Sequence, residues 1–242
     1  EGIKKLVAID HDWVPEQRGC SLYIRPTLIG TEGFLGVRPS QNYLFYVILS
    51  PVGAYYKEGL SPIPIWVEEK DLRAAPGGLG ATKAGANYAA SLRAALEAKK
   101  KGYSQVLWLD VNRQYIEEVG TMNVFFVIDG QVITPSLDGT ILSGGVRNSV
   151  LELLKSWNIP VQERKISILE ILKALQEGKL SEGFGTGTAA VISPIGELAF
   201  KTQTFQLNAN KIGPLSQRLY DAITAIQYGE STDNFQWLQS ID

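Results

Sequence analysis

Cysteine and histidine, which build most metal and disulfide sites, are nearly absent from this 242-residue sequence. The one cysteine, Cys20, excludes an intramolecular disulfide and a zinc site made of several thiolates. The one histidine, His11, stands between Asp10 and Asp12, as is typical of a solvated surface residue. We therefore predict no metal site, and a His-based catalytic triad would depend on a single residue.

An excess of positive charge and long apolar runs are lacking as well. The 23 Lys and Arg residues against 25 Asp and Glu give a net charge of -2, so no positive field attracts a nucleic-acid backbone. The apolar runs are interrupted well before the ~20 residues that cross a bilayer, and no basic-then-apolar leader opens the chain. We expect a cytoplasmic protein with neither a nucleic-acid nor a membrane partner.

Strand patterns are what the sequence does contain, and adjacent hairpins outnumber crossover units. Residues 21–25 alternate in polarity, whereas residues 42–49 form an almost continuous apolar run that predicts a buried strand. Further strands are predicted at residues 106–109, 115–119, 123–128, 131–134 and 189–192. Asp129-Gly130 indicates a two-residue hairpin. The pattern favours a mixed α+β fold over a doubly wound nucleotide-binding sheet.

Helical periodicity fills the intervals between these strands. Helices are predicted at the start of the chain, over residues 87–101, 145–157 and 167–178, and from Pro214 onward. The apolar face of the second helix is predicted to comprise Ala89, Leu92, Ala95 and Leu96.

The strand and helix patterns stop after residue 56, and a segment with proline, glycine and clustered charge follows. We predict that residues 57–75 are an interdomain linker. Residues 1–56 would then belong to a small α/β domain and residues 76–242 to a large domain with antiparallel hairpins.

Lys83 and the pair Glu117-Glu118 are the first candidates for chemistry. A lysine is usually a solvated surface charge, but the small neighbours of Lys83 would leave room for a bulky aldehyde cofactor, and burial would lower the amine pKa for imine formation. The two glutamates are either solvated strand-end carboxylates, or one of them faces a cationic heteroaromatic nitrogen. Because strand side chains alternate, only one can face inward.

Two glycine-rich segments could hold a phosphate. Residues 183–188 precede a strand, although a dinucleotide-binding loop requires a helix there, so the segment is either an irregular turn or an anion cup. Residues 143–147 open a helix, whose N-terminal N–H groups favour an anion. Two such cups fit one phosphorylated cofactor.

Together these segments resemble the branched-chain aminotransferases, a family of fold-type IV pyridoxal-phosphate enzymes. The resemblance covers nearly the whole chain, and its motifs occur in the order and spacing of that family. They are Gly80-Ala-Thr-Lys83-Ala-Gly-Ala-Asn87-Tyr88-Ala, Val106-Leu-Trp108-Leu, Glu118-Val-Gly-Thr121-Met-Asn123, Gly144-Gly-Val-Arg147, Gly185-Thr-Gly-Thr188-Ala189 and Ile226-Gln227-Tyr228-Gly229.

The resemblance implies a role for each matching residue. Lys83 would form the Schiff base with pyridoxal 5'-phosphate and shuttle the proton at Cα. Glu118 would keep the pyridine nitrogen protonated, and Tyr88 would donate to the phenolate oxygen. The other implied contacts are Thr121 beside the ring, Gly145, Val146 and Thr188 at the phosphate, and Tyr23, Arg25, Thr188 and Ala189 at the substrate.

The implied reaction moves the amino group of Leu, Ile or Val to 2-oxoglutarate through an aldimine of Lys83, in a ping-pong mechanism within a homodimer. The partners would be amino acids and 2-oxo acids. One alternative is another fold-type IV enzyme, such as a D-amino-acid aminotransferase or an aminodeoxychorismate lyase. The other is a catalytically silent fragment, because members of the family have a stretch before the point where this chain begins. We accordingly expect an N-terminally truncated chain that lacks part of the small domain.

Overall fold

The structure, a computed structural model, describes residues 1–53 and 59–241. Its contacts divide the chain into a first unit, which ends at residue 57 and takes up the tail from Asp233, and a second unit, which runs from residue 58 to Thr232. The division into domains at residues 56 and 76 stays a prediction. The segment 57–75 contributes a strand, Ile63–Val67, to the sheet of the second unit.

The first unit contains helix α1 (Gly2–Ile9) and an antiparallel ribbon of strands β1 (Ser21–Gly30) and β2 (Tyr43–Val52). The strand predicted over residues 42–49 is therefore confirmed, but its predicted burial is wrong. Phe45 is 63% exposed. In the described chain this sheet has only two strands, and a two-stranded ribbon cannot cover its own apolar side chains.

The second unit is built on a nine-stranded mixed sheet. Its order is β5-β4-β3-β10-β9-β6-β7-β8, with β11 on β10. Three neighbour pairs are parallel, β3 with β4, β3 with β10, and β7 with β8, and the others are antiparallel. The strands are β3 (Ile63–Val67), β4 (Gln105–Leu109), β5 (Ile116–Val119), β6 (Asn123–Ile128), β7 (Gln131–Thr134), β8 (Val161–Glu163), β9 (Leu180–Gly187), β10 (Val191–Phe200) and β11 (Gln203–Gln206). The predicted α+β fold is confirmed.

Four helices accompany this sheet: α2 (Gly85–Lys100), α3 (Gly145–Ser156), α4 (Ile168–Gln176) and α5 (Pro214–Gln227). Local signals set several of their ends. Ser167 caps α4 by accepting a hydrogen bond from the Leu169 N–H at 3.2 Å, and Pro214 is the first residue of α5. Across residues 1–53 and 59–241, no helix is both long and apolar enough to cross a membrane.

The packed face of α2 differs from the predicted one. Ser91, Ala94 and Ala98 are its buried residues, whereas Leu92 is 62% and Leu96 is 59% exposed. The small side chains of Ala94 and Ala98 pack in one cluster with Val106 and Trp108 of β4, partly buried aromatic residues bordering it. The predicted apolar face is thus left uncovered in the described chain, because the sheet here accepts the small residues of the helix.

The glycine-rich segment 183–188 is also more regular than predicted. It forms most of β9, which pairs with β6 and β10, and only Thr188, Ala189 and Ala190 turn. A Cβ on Gly185 or Gly187 would lie 2.9 Å from atoms of Met122. Glycine at these positions therefore lets Met122 pack on the strand rather than freeing the backbone as a cup. The strand predicted from residue 189 begins at Val191.

Candidate active site

Lys83 lies in the loop just before α2 and meets the first turn of that helix. Its Nζ donates a hydrogen bond to the Tyr88 hydroxyl at 2.9 Å. The Asn87 side-chain amide holds the loop by donating to the carbonyls of Leu79 and Thr82 at 2.7 and 2.9 Å. The burial expected for Lys83 is wrong, since its side chain is exposed. Small neighbours here leave the amine open rather than enclosed, so it is accessible to a ligand.

Glu118 is placed at the same cleft by strand β5 and is only 3% exposed. Its Oε1 accepts a hydrogen bond from the Leu142 N–H at 2.8 Å and lies 3.3 Å from Nη2 of Arg73. Both contacts use one carboxylate oxygen, so Oε2 is available to a ligand.

The surroundings of Glu118 change its acidity. Burial raises the pKa of this carboxyl from its ordinary 4.5 to about 7, although the charges of Arg73 and Lys83 and the Leu142 N–H oppose that rise. The neighbouring Glu117 adds to it. The group therefore titrates close to neutral pH, where a cation placed beside it would hold it ionised.

Ten residues line the cleft, whose empty space of about 320 Å³ includes the part that is open to solvent. Four of them, Lys83, Tyr88, Glu118 and Thr121, are site residues predicted from the sequence. The others are Arg73, Thr82, Asn87, Ser91, Gly120 and Leu142. An amine, a phenol and a carboxylate thus converge from a loop, a helix and a strand.

Glu117 faces a different cavity on the other side of β5, together with Asp110, Asp138 and Thr140. It is 5% exposed, so the alternative of two solvated carboxylates is wrong. Burial raises the pKa of Glu117 as well, against a hydrogen bond with Thr140. The alternation of strand side chains separates the two glutamates, and both are enclosed.

The two predicted phosphate cups lie near the start of β6 and the end of β9, which are neighbours in the sheet. Gly145 is the first residue of α3, with Val146 half-buried behind it. Thr188 is exposed in the turn after β9, two residues beyond Thr186, which pairs with Asn123 at the start of β6.

Asn123 joins these parts, because its amide donates to the Leu142 carbonyl at 2.7 Å and a Cβ on Gly144 would overlap its Oδ1. The loop 142–145 therefore runs from the Glu118 cleft to the N-terminus of α3. The first N–H groups of a helix have no intrahelical acceptor and bind anions.

Tyr23 and Arg25 belong to the first unit. Arg25 Nη2 donates to the Tyr23 hydroxyl at 3.2 Å, and its guanidinium carbon lies 5.0 Å from the centroid of that ring. Lys83 and Glu118 belong to the second unit, so the role of this pair at the substrate stays a prediction. Ala189 is exposed beside Thr188, and its role also stays a prediction.

Arg73 is the site residue that the sequence analysis missed. It lies in the segment predicted to be a linker, yet it is 8% exposed and contacts Glu118, which follows 45 positions later. Its guanidinium also donates to the carbonyls of Thr140 and Gly80. The signal that could have indicated its burial is the short apolar run 63–67, which forms β3 and ties the segment to the sheet.

Known proteins resemble this chain over its whole length. Branched-chain-amino-acid aminotransferase 2 of Bacillus subtilis (strain 168) is 54% identical over 242 residues, which is 100% of this chain and 67% of the relative. The branched-chain-amino-acid aminotransferase of Dictyostelium discoideum is 45% identical over 252 residues, covering 100% and 66%. The chain thus spans about two thirds of the length of these curated relatives.

Solved structures agree in fold. The crystal structure of the Escherichia coli branched-chain amino acid aminotransferase matches with a TM-score of 0.78 at 33% identity, covering 92% of this chain and 71% of that one. The branched-chain amino acid aminotransferase from Thermobaculum terrenum, in its PLP form, matches with a TM-score of 0.78 at 25% identity, covering 99% and 73%. The predicted fold-type IV architecture is confirmed.

The family itself follows from the sequence match, which takes in β1 and the segments that carry Lys83, Glu118 and Thr188. Residues 2–198 match the family model described as amino-transferase class IV. The chain therefore belongs to the class IV aminotransferases.

Proposed function

We propose that this protein transfers the amino group of leucine, isoleucine or valine to 2-oxoglutarate with the help of pyridoxal 5'-phosphate. The observation that carries the proposal is the convergence of Lys83, Tyr88 and the buried Glu118 on one cleft. The names of the relatives from Bacillus subtilis and Dictyostelium discoideum support the choice of amino acids.

The residues at hand fit this cofactor at both of its ends. The free N–H groups of Gly145 and Val146 and the hydroxyl of Thr188 suit a phosphate. Glu118, with Oε2 available, suits a protonated ring nitrogen, and the Tyr88 hydroxyl suits the ring oxygen. When bound, the cofactor supplies an aldehyde that condenses with amines and a ring that accepts electron density from the substrate Cα.

Glu118 is the residue that maintains the charge at the ring nitrogen. Burial leaves this carboxyl partly protonated at neutral pH even though the charges of Arg73 and Lys83 oppose its effect. A cation beside it favours the carboxylate, and the carboxylate in turn stabilises the proton on the cation. Because Glu118 is only 3% exposed, the electrostatic energy of such a charge pair would be larger than in water.

Lys83 and Tyr88 act where the amine meets the aldehyde and the substrate Cα. The exposed Lys83 amine is free to form and break its bond to an aldehyde, and afterwards to accept the proton from the substrate Cα and return it to another carbon. The Tyr88 hydroxyl orients this amine through the 2.9 Å hydrogen bond. Over a full cycle the amino acid becomes a 2-oxo acid and 2-oxoglutarate becomes glutamate.

We propose a homodimer as the functional form. The support is the uncovered face of α2, where Leu92 and Leu96 are each more than half exposed within two turns of Tyr88. An apolar patch of this kind is typical of a protein interface. We also propose that the protein is cytoplasmic, in keeping with its single cysteine.

A substrate panel tests the proposed reaction. The purified protein, supplied with pyridoxal 5'-phosphate, should form glutamate from 2-oxoglutarate with leucine, isoleucine and valine, and the Lys83→Ala variant should not. D-alanine and aminodeoxychorismate serve as the comparison substrates. Turnover of either at a higher kcat/KM than leucine would replace the branched-chain assignment by one of the two alternative fold-type IV activities.

A further inference from the structure

The buried guanidinium of Arg73 contacts the cleft carboxylate Glu118. Arg73 Nη2 is 3.3 Å from Glu118 Oε1, and the charge of Arg73 also lowers the pKa of Glu117. The two glutamates face different cavities, and Arg73 lines only the one that Glu118 faces.

Backbone contacts fix where this guanidinium lies. Nη2 donates to the carbonyls of Thr140 and Gly80, and Nε is buried without a hydrogen-bond partner. A buried donor without a partner costs free energy, and the native structure tolerates it where the group has another role. The observed placement directs the charge of Arg73 at Glu118 Oε1.

We infer that Arg73 is a positioning residue that favours the carboxylate form of Glu118 and occupies its Oε1, so that Oε2 is presented to the cationic ring nitrogen of the cofactor. Glu117 opposes Arg73 from the other side of β5. The inference rests on the proposed function for the identity of the cation, but the contact between Arg73 and Glu118 does not depend on it.

The charged groups around Glu118 determine the signs of the expected effects. Arg73 and Lys83 lower the pKa of its carboxyl, and Glu117, on the same strand, raises it. Tyr88 faces the same cleft from α2. Removal of the Arg73 charge should raise the pH at the midpoint of the Glu118 titration, and removal of the Glu117 charge should lower it. If Arg73 only supported the fold, loss of its charge would leave the titration midpoint of Glu118 unchanged.

The experiment follows the Glu118 carboxyl by carbon NMR in the full chain labelled with ¹³C-glutamate, freed of cofactor by dialysis, with Glu118→Gln to assign the signal. Arg73→Gln should raise the midpoint by about 1–3 pH units, the range over which a nearby opposite charge acts. Glu117→Gln should lower it. In Arg73→Lys, which keeps the charge, the Glu118 midpoint should remain closer to that of the parent. This variant replaces Arg73→Gln in the test if Arg73→Gln does not fold.

A second measurement extends the inference to the cofactor. In the protein with bound pyridoxal 5'-phosphate, Arg73→Gln should weaken cofactor binding more below pH 7 than above it, because without the Arg73 charge Glu118 protonates more readily, and Arg73→Lys should show a smaller effect. An unchanged Glu118 midpoint in both Arg73 variants would overturn the inference. A shifted midpoint in a protein that fails the substrate panel would retain the Arg73 contact and reject the proposed function.

Discussion

Two adjacent glutamates on β5 illustrate how much a residue's chemistry depends on the direction of its side chain. Glu118 faces the cleft that contains Lys83 and Tyr88, while Glu117 faces a cavity that contains Asp110 and Asp138. Both are buried, and burial raises the pKa of both. Only Glu118 is within reach of a ligand in the Lys83 cleft, so the two should respond differently to the same substitution.

The first prediction is that Glu118→Gln lowers kcat far more than Glu117→Gln. Loss of the ring-nitrogen charge pair should cost several kcal/mol in the chemical step, where about 1.36 kcal/mol is tenfold in rate. Glu117→Gln is the matched control, since it makes the same isosteric change one residue away. Steady-state kinetics of the two variants compares them, and equal losses would contradict the assignment of Glu118.

The second prediction concerns the stability of the protein without cofactor. Between pH 4.5 and about 7, Glu118 is protonated in the folded protein and ionised in the unfolded chain, so its contribution to stability falls as the pH rises through this window. The fall amounts to roughly 3 kcal/mol for this group. Denaturant unfolding across that range should show it, with a flatter profile in Glu118→Gln. An identical pH dependence in parent and variant would refute the raised pKa.

At this scale the sequence identified the residues that belong to local motifs. Lys83, Tyr88, Glu118 and Thr121 line one cleft, and their roles at the cofactor stay predictions. Arg73 was missed because its partner Glu118 lies 45 positions away in sequence, and only the fold brings them together. The exposure of Lys83 could not be predicted either, because small neighbours are compatible with an enclosed amine and with an open one.

At the scale of elements, the loop before α2 depends on one close approach to the loop before α3. A Cβ on Gly80 would overlap the backbone of Thr140 and lie 2.7 Å from the Ala74 Cβ. The Thr140 carbonyl is also an acceptor for Arg73. This contact connects the segment that carries Lys83 to the loop that contacts Glu118.

The third prediction is that Gly80→Ala destabilises the protein by about 1–3 kcal/mol, since backbone atoms cannot move aside as a flexible side chain could. Gly85→Ala is its control. Gly85 begins α2, and its added Cβ would meet nothing within 4 Å, so that variant should be neutral or slightly stabilised. Thermal or denaturant unfolding decides between them, and equal stabilities would mean that the close approach is not required.

The sequence predicts elements well where a local signal sets them. Asp129-Gly130 joins β6 and β7 with positive φ angles of 48° and 76°, and Ser167 caps α4. Prediction from the sequence fails where neighbouring elements determine the packing or the secondary structure. The packed face of α2 is determined by β4, and residues 183–187 form a strand because β6 and β10 lie on either side of it. Neither neighbour can be read from the segment itself.

At the scale of the whole molecule, apolar surface remains uncovered in both units. In the first unit, β2 exposes Phe45 by 63%, and in the second, α2 exposes Leu92 and Leu96. A monomer in water rarely leaves contiguous patches of this kind uncovered. The homodimer proposed above would cover the patch on α2.

The fourth prediction is that Leu92→Lys and Leu96→Lys weaken the dimer, because each places a charge in an apolar interface. Leu169→Lys provides the control. Leu169 is 68% exposed near the start of α4, so its replacement changes the charge equally at a site assigned to no interface. Sedimentation velocity should show monomers for the α2 variants only. Dimers that persist in both α2 variants would show that the interface lies elsewhere.

Lys83 is the residue to which we expect the cofactor to become attached. Borohydride treatment of the protein with bound pyridoxal 5'-phosphate should fix the cofactor covalently to one peptide, which mass spectrometry identifies after proteolysis. We expect this peptide to contain Lys83 and the label to be lost in Lys83→Ala. A label on a peptide without Lys83, or no label on a protein that binds the cofactor, would contradict this expectation.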